Sequence, residues 1–207
     1  MKKFLTGFFM ICLSVVLVAC GANNQGNNQE NKGNVANNGV EEQETATKDS
    51  KILIAYYSRT GNTEKVANLV GEKMGGDMFK IEPTEAYPED EDETKARLVE
   101  ETEAKARPEY DGEVESFDDY DVIFLGYPIW NGDVPPTVKT FLEAHNFEGK
   151  KVVPFATFGG GGLGDSVQSV GDLATGGELL QEFGIPGAEV DASKDQISDW
   201  LEALPIE

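Results

Sequence analysis

The sequence predicts an α/β domain of three layers, with helices on both faces of a parallel sheet, over residues 51–207. Three observations carry this. Short apolar runs bounded by glycine or proline alternate with polar segments whose apolar residues recur at helical spacing. The runs are nearly continuous, as in strands buried on both faces, instead of alternating as in half-exposed ones. The loops after them are rich in glycine, proline and hydroxyl residues, at the strand ends where such sheets gather ligands. The segment is about 155 residues long, the size of one ordinary domain.

Lys51-Ile52-Leu53-Ile54-Ala55-Tyr56-Tyr57 is the first strand. After a polar loop, Val66, Ala67, Leu69, Val70 and Met74 trace a helix that Gly75-Gly76 stops. Asp77 to Glu82 forms a second strand around Met78, Phe79 and Ile81, closed by Pro83. Glu89 to Arg107 holds good helix formers with Leu98 and Val99 near the middle, which predicts a surface helix with a thin apolar stripe and a solvated acidic face. Tyr120 to Tyr127 is the most apolar stretch of the domain and reads as the central strand, ending at Pro128. A helix from Thr137 to Glu143 follows Pro135-Pro136, and Lys151 to Thr157 is another buried strand, broken by Gly159-Gly160-Gly161-Gly162. A helix from about Asp165 to Ala174, a weakly marked strand around Glu178 to Glu182 and an amphipathic helix from about Ser193 to Leu204 complete the series.

The first quarter of the chain does not belong to this core. Lys2-Lys3 make a positive start, Phe4 to Val18 are mostly apolar, and Leu17-Val18-Ala19-Cys20 closes the segment. This order predicts a secretory signal over residues 1–19, shorter than the roughly 20 residues of a membrane span. Leu-Val-Ala-Cys resembles the bacterial lipobox, which implies cleavage before Cys20 and acylation of its thiol, a membrane anchor on the extracytoplasmic face. Residues 20–50 are dominated by Asn, Gln, Gly and Glu and cannot offset their own ordering entropy, so they read as a disordered tether of about 30 Å reach.

The formal net charge is -21, and removal of Lys2 and Lys3 leaves the remainder more negative still. Such a surface repels nucleic acid and attracts basic proteins. The two cysteines, Cys12 and Cys20, both fall before the domain. Disulfides, CxxC redox chemistry and cysteine nucleophiles are therefore excluded from it. The single histidine, His145, rules out a histidine metal cluster and a catalytic triad, and reads as surface decoration at a helix end.

Three loops carry the chemistry. Ser58-Arg59-Thr60-Gly61-Asn62-Thr63 lies between a strand and a helix, where free N–H groups and the helix dipole favour an anion. Serine and threonine also cap helices, but three hydroxyls in six residues exceed what capping needs. The loop suits a phosphate held by neutral donors, and it is not a Walker loop because no Gly-Lys-Ser/Thr follows Gly61. Pro128-Ile129-Trp130-Asn131-Gly132 places an indole at the end of the central strand, where its face suits stacking on a flat heterocycle. Thr157-Phe158-Gly159-Gly160-Gly161 ends the next strand, and its glycines let backbone amides approach a ligand.

The chain from Lys51 to Leu204 resembles the flavodoxin family. Tyr57-Ser58-Arg59-Thr60-Gly61-Asn62-Thr63 with Ala67 and Val70 is similar to the family signature, Ala55 standing where a larger apolar residue is usual. Gly126-Tyr127-Pro128-Ile129-Trp130 resembles the loop against the isoalloxazine ring, and Thr157-Phe158-Gly159-Gly160-Gly161 the loop along its pyrimidine edge. The likeness is to the short-chain, lipoprotein-associated branch. It implies a flavodoxin-like three-layer sandwich, a five-stranded parallel sheet of order 2-1-3-4-5, and non-covalent FMN. Ser58 to Thr63 would then hold the phosphate, Pro128 to Gly132 cover the ring, and Thr157 to Gly161 hold its edge. Phe158 is the only second aromatic available, which implies a ring covered on one side.

With FMN bound, the acidic surround implies a low potential, because reduced flavin tends to carry negative charge. The expected function is electron transfer to or from a redox protein partner with a basic surface. The alternative is an FMN-dependent NAD(P)H:quinone-type oxidoreductase. An open ring face favours it; an extracytoplasmic location disfavours it.

Overall fold

The structure, a computed structural model, describes residues 50–206. The expected signal segment, the expected acylation site at Cys20 and all of the expected linker except Ser50 lie outside the described residues. In chain order the elements are β1 (Ile52–Tyr56), α1 (Asn62–Met74), β2 (Asp77–Lys80), β3 (Glu82–Pro83), α2 (Glu91–Glu103), β4 (Tyr110–Asp111), β5 (Val122–Pro128), α3 (Pro136–Ala144), β6 (Lys151–Phe158), α4 (Ser166–Leu173), β7 (Glu178–Leu179), β8 (Phe183–Pro186) and α5 (Lys194–Glu202). β2, β1, β5 and β6 lie side by side, all parallel, and β7 and β8 both pair with β6. This is the order 2-1-3-4-5, with the fifth place filled by two short segments.

The split corrects the expected strand over Glu178 to Glu182. β7 pairs with Lys151 and Val152, and β8 resumes opposite Phe155. Three residues, Leu180 to Glu182, therefore stand against two of β6, one of which is Pro154. The Val152 carbonyl accepts from Leu180 N–H on this side at 2.8 Å, so by strand alternation Pro154 also turns this way. Proline has no N–H to offer there, and the ladder breaks.

Alternation along the strands divides the core into two layers. Leu53, Ala55, Ile123, Leu125 and Tyr127 face one side with Val138, Phe141 and Val170 from α3 and α4. Ile54, Tyr56, Val122, Phe124 and Phe155 face the other with Val66 and Val70 from α1 and Ile197, Trp200 and Leu201 from α5. Gly126 in mid-β5 has a specific reason: a Cβ there would lie 2.3 Å from the Phe155 ring, which crosses it.

Three further expectations change. The second strand leaves the sheet after Lys80, and Glu82–Pro83 pairs antiparallel with Tyr110–Asp111 in a separate ribbon. The helix over Glu89 to Arg107 is shorter, capped by Asp90 and buried through Thr94 and Leu98 only, while Val99 is 53% exposed. His145 is not surface decoration: its ring stacks on Phe117 at 4.1 Å and 16° and packs against Phe141 at 4.5 Å. Burial pushes its pKa below the ordinary value.

Candidate functional site

The parallel register brings four loops to one end of the sheet. Tyr56 lies beside Gly126, Pro128 beside Thr157, and Thr157 beside Ile185. A cavity of about 360 Å3 opens there. Its wall takes Arg59, Thr60, Asn62 and Thr63 from the first loop, Pro128, Ile129 and Trp130 from the second, and Thr157, Phe158 and Gly159 from the third. Pro186 at the end of β8, Gly187 and Ala188 after it, and Glu91 at the start of α2 complete it.

The first loop turns on Gly61, at φ +88°, which precedes α1 without any side-chain cap. By contrast, the Asp90 carboxylate accepts from the N–H groups of Asp92 and Glu93 to cap α2, at 2.9 Å each. The uncapped first turn of α1 opens on the cavity through Asn62 and Thr63, which leaves its amides for an anion. Ser58 is turned inward, its Oγ accepting from Gly61 N–H at 3.1 Å, and so shapes the loop. Arg59 donates to the carbonyls of Pro88 and Glu89 at 3.3 and 3.2 Å, tying the loop to the approach to α2. Thr63 Oγ1 lies 2.9 Å from Thr157 Oγ1, and the two residues are 1% and 4% exposed.

In the second loop Trp130 and Asp133 exchange backbone hydrogen bonds of 3.0 Å around Asn131 and Gly132, at φ +50° and +75°. Positive φ at both central residues is the pattern of a type I′ turn, which Asn-Gly favours. The indole of Trp130 stands edge-on to Tyr87 at 4.6 Å and to Tyr57 at 5.4 Å. Tyr87 is itself fixed: its hydroxyl donates to Glu101 at 2.7 Å and the Arg97 guanidinium lies 4.2 Å over its ring. Burial raises the hydroxyl pKa of both tyrosines, so both stay protonated. Trp130 borders the cavity on one side and, with Asn131, Gly132 and Leu98, a second groove of about 490 Å3 on the other.

The third loop contributes Thr157, Phe158 and Gly159, whereas Gly160 and Gly161 do not line the cavity. Its far end docks on the second loop. Asp165 N–H donates to the Gly132 carbonyl at 2.8 Å, and a Cβ on Gly164 would fall 2.0 Å from that oxygen. Sequence reasoning named the three loops but not Pro186 to Ala188 or Glu91. Phe183-Gly184-Ile185-Pro186-Gly187 carried a usable signal, an apolar run closed by Pro-Gly like the other strand ends. Gly187 admits the loop against Asn62, whose side-chain nitrogen would lie 2.7 Å from an added Cβ.

An uncapped helix start, hydroxyls and an indole around one cavity suit a phosphorylated flat ligand. The flavodoxin family profile matches residues 51–204, about three-quarters of the chain. This chain belongs to the flavodoxin family. This flavodoxin-family chain is 27% identical over 155 residues to the flavodoxin of Synechocystis sp., covering 70% of this chain and 77% of that one. Among solved structures, a Bacteroides eggerthii protein described as a flavoprotein is 35% identical, with TM-score 0.60, over 72% of this chain and 98% of that one. A Lactobacillus acidophilus flavoprotein solved in complex with FMN is 24% identical, with TM-score 0.56, over 69% of this chain and 97% of that one. The flavodoxin-family site is here built almost wholly of neutral groups, with Arg59 and Glu91 the charged residues of its wall.

Proposed function

We propose that this chain binds FMN non-covalently in the cavity and passes electrons to or from a protein partner while held to the outer face of a membrane through Cys20. One observation carries the cofactor: the uncapped start of α1, the hydroxyls of Thr60 and Thr63, and the aromatic wall of Trp130 and Phe158 converge on a single cavity at the strand ends. Family membership supports the same reading.

In this reading the Ser58–Thr63 loop and the first amides of α1 bind the phosphate, with no buried cation needed. Pro128 to Trp130 covers the ring, with Asn131 and Gly132 forming the turn behind it and the indole held edge-on by Tyr57 and Tyr87. The third loop lies along the ring edge through Phe158 and Gly159. The flavin, when bound, supplies the redox chemistry, and the protein supplies binding, orientation and electrostatics. The net charge of -21 opposes adding negative charge near the site and favours a basic partner. The lipid anchor rests on Lys2-Lys3, the apolar run and Leu17 to Cys20.

Addition of FMN to the purified chain tests the cofactor: a shifted visible spectrum and saturating heat at one equivalent are expected, and no uptake would overturn it. Mass spectrometry of the chain from bacterial membranes tests the anchor, a mature N-terminus without acylated Cys20 being the result that removes it.

A further inference from the structure

We propose that Thr157 serves the phosphate end of the cavity, acting through Thr63 as a two-hydroxyl relay whose direction the phosphate sets. The inference rests on the FMN reading and refines it, since resemblance alone assigns Thr157 to the ring edge.

Each threonine hydroxyl has one hydrogen and two lone pairs. With the two Oγ1 atoms 2.9 Å apart, one hydrogen fills the bond between them and one is left over. If Thr63 donates to Thr157, the free hydrogen belongs to Thr157. If Thr157 donates to Thr63, it belongs to Thr63. At 1% and 4% exposure both residues are almost wholly covered, and the cavity is the one side from which a ligand can set the choice.

A phosphate dianion only accepts. Thr63 sits in the uncapped first turn of α1, where an anion is favoured, and it can donate to that anion only while accepting from Thr157. Phosphate therefore selects the direction Thr157 to Thr63, and hydrogen bonds in such a chain polarise one another. Thr157 is left with lone pairs alone for the rest of the cavity. The backbone of Thr157 is held on both sides, between Pro128 of β5 and Ile185 of β8, and its carbonyl accepts from Ile129 N–H at 2.8 Å. Thr157 is thus a positioning residue for phosphate, and it discriminates phosphorylated from unphosphorylated flavin.

Calorimetric titration of the full chain with FMN and with riboflavin, on wild type, Thr157→Val and Thr157→Ser, tests this. Thr157→Val should weaken FMN about tenfold and leave riboflavin within about twofold, while Thr157→Ser keeps both. Inorganic phosphate, a probe with no ring, should also compete with FMN less well in Thr157→Val than in wild type. Equal weakening of FMN and riboflavin would place Thr157 on the ring and overturn the relay, as would an unchanged FMN affinity. Failure of the wild type to bind FMN at all would remove the flavin reading itself, a different result from either. Should circular dichroism show Thr157→Val unfolded, Thr157→Cys, of similar volume and weak donor strength, carries the same expectations.

Discussion

The hydroxyls of Thr63 and Thr157, 94 residues apart in the chain, meet at 2.9 Å and join the first turn of α1 to the end of β6. Their bond is buried, so it bears on stability as well as on ligand binding. Removing one hydroxyl leaves the other unsatisfied, at a cost of about 1–3 kcal/mol, whereas removing both leaves no orphan. Thr63→Val and Thr157→Val should each lower the urea midpoint of the ligand-free protein, and the double variant should lose less than the two together. Strict additivity would show that the two hydroxyls do not depend on each other.

Trp130 and Trp200 report on different places. Trp200 stacks on Phe183 at 4.9 Å in the α5 layer, while Trp130 borders the cavity. FMN should quench the Trp130 part of the tryptophan emission, and Trp130→Phe should retain mainly Trp200 emission with little quenching. Loss of the indole should weaken FMN about three- to tenfold, the range of an aromatic contact beyond its burial. Full quenching in Trp130→Phe would mean that the ring lies elsewhere.

Gly126→Ala should be costly although alanine suits strands no worse than glycine. The added Cβ meets the Phe155 ring at 2.3 Å and Tyr56 Cβ at 3.0 Å, so a packed core must shift. Overpacking of this kind costs about 1–3 kcal/mol, or a melting temperature lower by roughly 2–4 °C per kcal/mol in a domain of this size. A pairing of Gly126→Ala with Phe155→Leu should recover part of the loss in thermal melts.

His145 makes stability depend on pH. Its folded pKa lies below the ordinary value, chiefly through burial, so the unfolded chain takes up a proton first as pH falls. Its contribution is therefore whole above about pH 6.5, the unfolded value, and is lost below it until the folded ring also protonates. Denaturation midpoints of wild type and His145→Gln between pH 5 and pH 8 should converge on the acid side and separate on the neutral side. Parallel curves across that range would show that the ring carries no such linkage.

How much is legible in the sequence depends on how local each signal is. β1, β5 and β6 are legible because a strand buried on both faces must be a continuous apolar run, and Leu53 to Tyr57, Val122 to Tyr127 and Val152 to Ala156 are such runs. The break in the fifth strand is not, because it is imposed from the neighbouring strand by Pro154 and not by the segment's own residues. The surroundings of Val99 and His145 escape the sequence for a similar reason: α2 shows only Thr94 and Leu98 to the core, and the partner that buries His145 is Phe117 on another element. Pro186 to Ala188 and Glu91 join the site only because β8 ends and α2 begins beside it.

The amino-acid order alone determined the alternation of strands and helices, the loops at their ends, and the donors those loops could present, because hydrophobic period and turn chemistry act over a few neighbouring residues. The tertiary structure decided which donors meet. Arg59 reaches the carbonyls of Pro88 and Glu89, and Thr63 finds Thr157. The direction in which a side chain bonds follows from what the fold packs against it, and the longest of these pairings joins the first turn of a helix to the end of a strand.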